Sequence, residues 1–289
     1  MDLGDFKMDT IQLTIIVSTI IIIFLIYTLY RRYKLLSAIF SMIAICSIVF
    51  SLFIYKSELI FATELEEGRS NVNVPLQNID ELSFFLIKDK VLIDAPLVNQ
   101  LPELPRGCEV TSLSMLLASA GVEVDKMKLA EEVIKDPTPR TFVNGKIHFG
   151  NPYNGFVGNM YTFKEPGLGV YHGPIMKLAE NYLPGRMIDL TGKTFDELRI
   201  PLSDGRPVWV IINAQYRELE DSYFQTWHTP DGEIKITMKE HSVLVTGYDD
   251  KYVYFNDPLT GVKNKKAPIA DFKKAWVQMG SQAITYSHE

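Results

Sequence analysis

Cysteine is nearly absent: Cys46 and Cys108 are the two in 289 residues. That excludes a disulfide framework and a cysteine-rich metal site. A surplus of positive charge is also missing, since 29 Lys and Arg stand against 35 Asp and Glu for a net charge of -6. With no excess cations to neutralise phosphates, nucleic acid is not an expected partner. The chain has no G-x-x-x-x-G-K-[ST] loop, and Gly167, Gly169 and Gly173 are spaced too irregularly for a phosphate cradle. It also has no H-E-x-x-H pair, and His148 and His228 lack the spacing of metal ligands. No repeat or low-complexity tract occurs, and neither a cofactor nor a metal is expected.

What the sequence has in excess is apolar length at one end. Residues 11–29 are uncharged and rich in Ile, Leu and Val, and residues 35–55 form a second uncharged run. Each matches the roughly 20 residues that a helix needs to cross a bilayer core. Tyr27, Tyr30, Tyr33 and Tyr55 fall near the ends of these runs, at headgroup level. Two runs in tandem, acids before the first and no small-residue cleavage site after it argue against a cleaved signal peptide. A two-helix transmembrane hairpin over residues 1–55 is the expectation. Arg31, Arg32 and Lys34 crowd the connector, and such cations stay cytoplasmic, so both ends should lie outside the cell membrane. Removing the first 55 residues (4 Lys and Arg, 3 Asp and Glu) leaves 25 against 32, or -7, for the outer part.

Residues 56–90 read as an extracytoplasmic tether, polar and without apolar periodicity between Phe61 and Asp80. Residues 91–289 read as one domain. A short strand is expected at Val91–Ile93. Helical spacing of Val110, Leu113, Leu116, Leu117 and Ala120 predicts a helix over 109–120 that stops at Gly121. Asp125 caps a helix running to Ile134, Pro174 opens another, and Thr194 with Glu197 forms a capping box. Strands are then predicted at 208–212, 234–237, 243–245 and 252–255, with a last helix over 270–279 and a closing strand at 283–286. Helices followed by an antiparallel sheet give an α+β domain of ordinary size.

Cys46 lies within the second apolar run and is expected simply to pack there. Cys108 follows Leu101-Pro102-Glu103-Leu104-Pro105-Arg106-Gly107 and stands at a helix start. Unpaired amide groups and the helix dipole favour an anion at that position, and a thiolate is the attacking form of cysteine. Arg106 adds to that pull and Glu109 opposes it. A packed, inert cysteine is the alternative. Of the five histidines, His241 stands at the head of the apolar strand Ser242-Val243-Leu244-Val245. Asp257, sixteen residues on, ends the next strand of the same hairpin, where it can orient an imidazole. Gln100, just before the proline-rich segment, is a candidate donor to a developing oxyanion. His172 precedes a helix, where capping or packing is the commoner role.

The stretches Asn99–Leu113, Gly169–Pro174, Glu240–Asp249 and Asn256–Leu259 resemble papain-like thiol peptidases related to the peptidase domain of bacteriocin-exporting transporters. The resemblance spans about Val91 to Tyr286, with its blocks in order. It implies a papain-like α+β fold, with Cys108 as nucleophile, His241 as base, Asp257 as orienting acid and Gln100 in the oxyanion hole. Those transporter domains cut double-glycine leaders in the cytoplasm. Here an outside location and the lack of transport modules mean that this substrate does not carry over.

A membrane-anchored extracytoplasmic cysteine peptidase acting on peptide or protein substrates is therefore expected. Two alternatives use the same fold: a thiol amidohydrolase or transferase on cell-wall peptide, and a non-catalytic peptide-binding module. A redox thiol has little support without a resolving cysteine.

Overall fold

The computed structural model describes residues 17–25, 27 and 87–288. The chain divides into two compact units, Met1–Leu82 and Ser83–Glu289. In the first, residues 17–25 and 27 are helical, with Val17, Ile20, Ile21, Ile22, Ile23, Phe24, Leu25 and Tyr27 exposed. Among the described residues no helix is long and apolar enough to cross a membrane. The remainder of the expected hairpin, Cys46 included, and most of the expected tether lie outside the described residues.

The second unit carries thirteen strands and five α-helices among its described residues. In chain order they are β1 (Val91–Leu92), α1 (Cys108–Ser119), α2 (Lys126–Glu132), β2 (Lys135–Asp136), β3 (Thr141–Val143), β4 (Lys146–His148) and β5 (Phe156–Val157). There follow α3 (His172–Glu180), β6 (Met187–Asp189), α4 (Phe195–Ser203), β7 (Val208–Asn213), β8 (Phe224–Thr229) and β9 (Gly232–Thr237). The last are β10 (Glu240–Tyr248), β11 (Tyr252–Asp257), β12 (Val262–Pro268), α5 (Ile269–Gln278) and β13 (Ala283–Tyr286). The main sheet runs β12-β11-β10-β7-β13-β6, antiparallel throughout, and β1 pairs with the far end of β10.

Local chemistry explains the helix limits. Asp125 accepts from the Met127 amide and caps α2. Thr194 and Glu197 form the reciprocal capping box of α4. α2 ends at Glu132, two residues short of the expected Ile134, because Lys135 and Asp136 pair in parallel with Phe156 and Val157. Contact with the fold starts before the expected limit at 91: the Lys88 amide donates to Ser203 Oγ at 3.0 Å, and Tyr248 Oη donates to the Lys88 carbonyl.

Period-two alternation divides β7 and β10 between two apolar layers. Trp209, Ile211 and Leu244 join the core under α1, α2 and α3. Val208, Val210, Ile212, Val243 and Val245 join the core under α4 and α5. All six residues of β7 are buried, as a strand covered on both faces must be. A second sheet, β3-β4-β8-β9, sits over a smaller apolar cluster of Phe149, Val157, Leu168, Trp227 and Ile236.

Candidate active site

Two elements bring the site together. α1 begins at Cys108, and its Ser112 hydroxyl donates to the Ser242 carbonyl at 3.1 Å, which ties the helix across β10. The β10–β11 register sets Leu244 opposite Asn256. One step further along the hairpin, Asp257 faces Val243, and His241 shares the face of Val243. His241 Nε2 and Asp257 Oδ1 are 2.9 Å apart, and both residues are buried. This contact leaves Nδ1 as the ring nitrogen available to other chemistry.

Asp257 is densely supported. Oδ2 accepts from Tyr216 Oη at 2.7 Å, Thr260 Oγ1 at 2.6 Å and Lys265 Nζ at 2.8 Å. Oδ1 also accepts from the Leu259 amide at 3.0 Å. Burial opposes its ionisation, but bonds from His241, Lys265 and Thr260 outweigh burial and hold the carboxyl well below the usual range. Tyr216 has a left-handed backbone, φ 54°, at the end of the turn that follows β7. Its ring lies 6.1 Å from the His241 ring. Burial and the adjacent Asp257 carboxylate keep its phenol protonated.

The thiol has different neighbours. Cys108 Sγ donates to Glu109 Oε2 at 3.3 Å. Among the described residues no hydrogen bond joins it to His241. Glu240, the residue before His241 in β10, is the one whose carboxyl joins Glu109 near the sulfur. Glu109 Oε1 accepts from the Val170 amide at 2.6 Å, and Glu240 Oε1 is enclosed without a partner.

The expected lowering of the Cys108 pKa does not hold. Burial pushes the thiol well up, and the carboxyls of Glu109 and Glu240 push it further, with only partial relief from the Ser242 backbone. Arg106 gives no help at the sulfur, because its Nη1 donates to the carbonyls of Asn159 and Thr162. Burial raises Glu109 to about 7, and burial with the Glu109 charge raises Glu240.

Gln100 is 2% exposed, and its Nε2 donates to the carbonyls of Leu104 at 3.2 Å and Pro105 at 3.1 Å. In this conformation both amide protons hold the proline-rich turn, while Oε1 is buried without a partner. His172 starts α3 and binds Gln282 Oε1 through Nδ1 at 3.0 Å, a packing role. His148 and His228 stack at 5.0 Å on paired strands. Among the described residues, the one group of potential ligand atoms mutually within 4.8 Å belongs to Cys108, Glu109 and Glu240.

Sequence reasoning overlooked Tyr216, Lys265 and Glu240 as site residues. Glu240 had a signal in its direct attachment to His241, whereas Tyr216 and Lys265 reach the site only through sheet pairing.

The model of the Peptidase_C39-like family matches residues 92–284. The chain belongs to this family. It is 50% identical over 194 residues to the uncharacterized protein YvpB of Bacillus subtilis (strain 168), covering 66% of this chain and 74% of that relative. It is also similar to the crystal structure of a provisionally designated C39-like peptidase from Bacillus anthracis. There the identity is 49% and the TM-score 0.65, over 70% of this chain and 99% of that one. The second unit thus has a C39-like peptidase fold, mixed from helices and sheets, as the papain-like resemblance implies.

Proposed function

We propose that this chain is a cysteine peptidase, anchored in the cell membrane by its N-terminal hairpin, with the C39-like domain outside. The observation that carries the reading is the buried 2.9 Å contact of His241 Nε2 with Asp257 Oδ1, beside the helix that begins at Cys108. Asp257 fixes the imidazole tautomer, and Nδ1 takes the thiol proton as general base. The thiolate attacks a peptide carbonyl. The Cys108 amide, a first-turn donor of α1, stabilises the oxyanion together with Gln100 once the Gln100 amide exchanges one of its carbonyl partners. The imidazolium then protonates the leaving amine, and water releases the acyl group.

The resting thiol is protonated against Glu109, so the proton must pass to His241 when substrate displaces that contact. The same observation favours a second reading, a peptide-binding module without turnover.

One comparison separates the readings: peptides released by cells carrying wild type or Cys108→Ala, together with labelling by a thiol-directed probe. Cleavage and labelling lost in Cys108→Ala support the peptidase. Binding without products supports the module, and released peptidoglycan fragments support an amidohydrolase or transferase on cell-wall peptide. For the address, a membrane-impermeant maleimide should reach Cys108 in intact cells in which substrate or mild denaturant opens the site. Labelling only after lysis would place the domain inside.

A further inference from the structure

A cavity of about 350 Å³ is lined by Arg106, Arg140, Phe163, Lys164, Trp227 and Met238 among others. Two of its residues are close in the chain to the candidate site: Arg106 stands two residues before Cys108, and Met238 two before Glu240. Its size suits a side chain or a short peptide segment.

The chemistry of its lining is one-sided. Arg106, Arg140 and Lys164 have no carboxylate within ion-pair distance among the described residues. The guanidinium of Arg106 lies 4.8 Å from the centre of the Phe163 ring, which holds it in place. One acid, Glu165, also lines the cavity, and it accepts from Asn159 Nδ2 at 2.7 Å.

A second, independent feature is a buried donor. Trp209 Nε1 donates to the Glu109 carbonyl and Trp276 Nε1 to the Gln282 carbonyl, both at 3.0 Å. Trp227, 2% exposed, is the third indole, and its Nε1 is enclosed with no acceptor. A buried donor without a partner costs free energy unless a ligand satisfies it. Three cations against one acid give the cavity a positive field, which favours an anionic group there.

We propose that this cavity is a substrate subsite that takes a carboxylate-bearing residue of the bound peptide. The proposal rests on the peptide-substrate reading above. The carboxylate lies among Arg106, Arg140 and Lys164 against the Trp227 indole, while Phe163 and Met238, 67% and 54% exposed, cover the apolar part of the residue. The source of the carboxylate is either an Asp or Glu side chain or the peptide's own C-terminus.

The test uses the full chain carrying Cys108→Ala, in detergent micelles, so that binding is read without turnover. Probes are acetylated, amidated hexapeptides with Asp at each position in turn, their Asn counterparts, and one unamidated set. At least one Asp or free-acid peptide should bind tenfold or more tightly than its amide counterpart. That preference should vanish in Arg140→Glu/Lys164→Glu with the thermal midpoint unchanged. The indole N–H resonance absent from Trp227→Phe should shift on binding. A preference confined to the unamidated set assigns the C-terminus, and one among the Asp peptides assigns a side chain. Equal affinity for acid and amide, a preference that survives the double variant, an unmoved Trp227 resonance or no binding at all overturns the subsite. Peptide cleavage by wild type with no acidic preference defeats the subsite alone. Acidic preference without cleavage defeats only the peptidase.

Discussion

The Cys108 thiol donates to the carboxyl of its own chain neighbour, Glu109, at 3.3 Å. Adjacent residues at a helix start normally diverge. Here the Val170 amide holds Glu109 Oε1, which leaves Oε2 at the sulfur, and Gly169 makes room for the carboxyl: a Cβ at that position would meet Glu109 Oε1 at 2.1 Å and Glu240 Oε2 at 2.9 Å. The thiol is held protonated first by burial and then by the carboxyls of Glu109 and Glu240.

Glu109→Gln keeps an acceptor for the Val170 amide but removes the charge at the sulfur. Its alkylation by iodoacetamide should run about tenfold faster at pH 7, equivalent to about 1.4 kcal/mol in favour of the thiolate. The pH midpoint of labelling should move down. Stopped-time alkylation across pH 6–10 measures both, and a midpoint at or above that of wild type removes Glu109 as the group restraining the thiol.

The raised carboxyl of Glu109 also makes a statement about stability. With its folded pKa at about 7 against an ordinary value of 4.5, the folded state binds the extra proton between those values. Stability therefore falls as pH rises through that window, by up to about 3 kcal/mol for the single group. Glu240 acts in the same sense. Urea midpoints should drop between pH 5 and pH 8 in wild type, and by clearly less in Glu109→Gln. Parallel pH profiles for the two proteins would show that the carboxyl ionises freely.

Asp257 has the opposite sign. Its depressed pKa gives stability that is present above the ordinary carboxylate range and is lost as pH falls below it. Asp257→Ala leaves Lys265, Tyr216 and Thr260 facing a void and unpairs His241. A loss of about 3–5 kcal/mol is expected from breaking such a buried pair. Chemical denaturation at pH 7 measures it, and a loss below about 1 kcal/mol would mean that the network does not hold the hairpin ends together.

Gly247 is needed by the neighbouring chain rather than by its own backbone. A Cβ there would lie 2.1 Å from the Val91 carbonyl oxygen and 2.8 Å from its carbon. Gly247→Ala should detach β1 from β10, cost about 1–3 kcal/mol and release amide protection at Ile93, whose N–H bonds to the Thr246 carbonyl at 2.7 Å. Hydrogen exchange and denaturant midpoints report the two effects. Unchanged protection at Ile93 contradicts the close approach.

Several elements were legible because their causes are local. The Thr194–Glu197 box, the Asp125 cap and the apolar spacing of Val110, Leu113, Leu116 and Leu117 act within a few residues, and their helices form where that chemistry predicts. The β10–β11 hairpin follows from an alternating run broken at Asp249–Lys251, so His241 and Asp257 meet as the spacing implies. The short strands β2, β5 and β6 carried no such message, since their pairing partners lie farther along the chain, whereas β3, β4 and β8 sit in local hairpins whose strands are too short or too polar to show a period.

By itself the sequence singled out Cys108, His241, Asp257 and Gln100 as candidates and determined the order of the main helices and strands, because caps, periodicity and turn residues depend on neighbours along the chain. Tertiary structure alone decided the state of those groups. It turned Glu109 and Glu240 toward the sulfur, sent Arg106 to the carbonyls of Asn159 and Thr162, and gathered Tyr216, Thr260 and Lys265 around Asp257. Whether a thiol or a carboxyl keeps its proton depends on burial and on charges brought from distant segments, and neither is encoded in the spacing of residues along the chain.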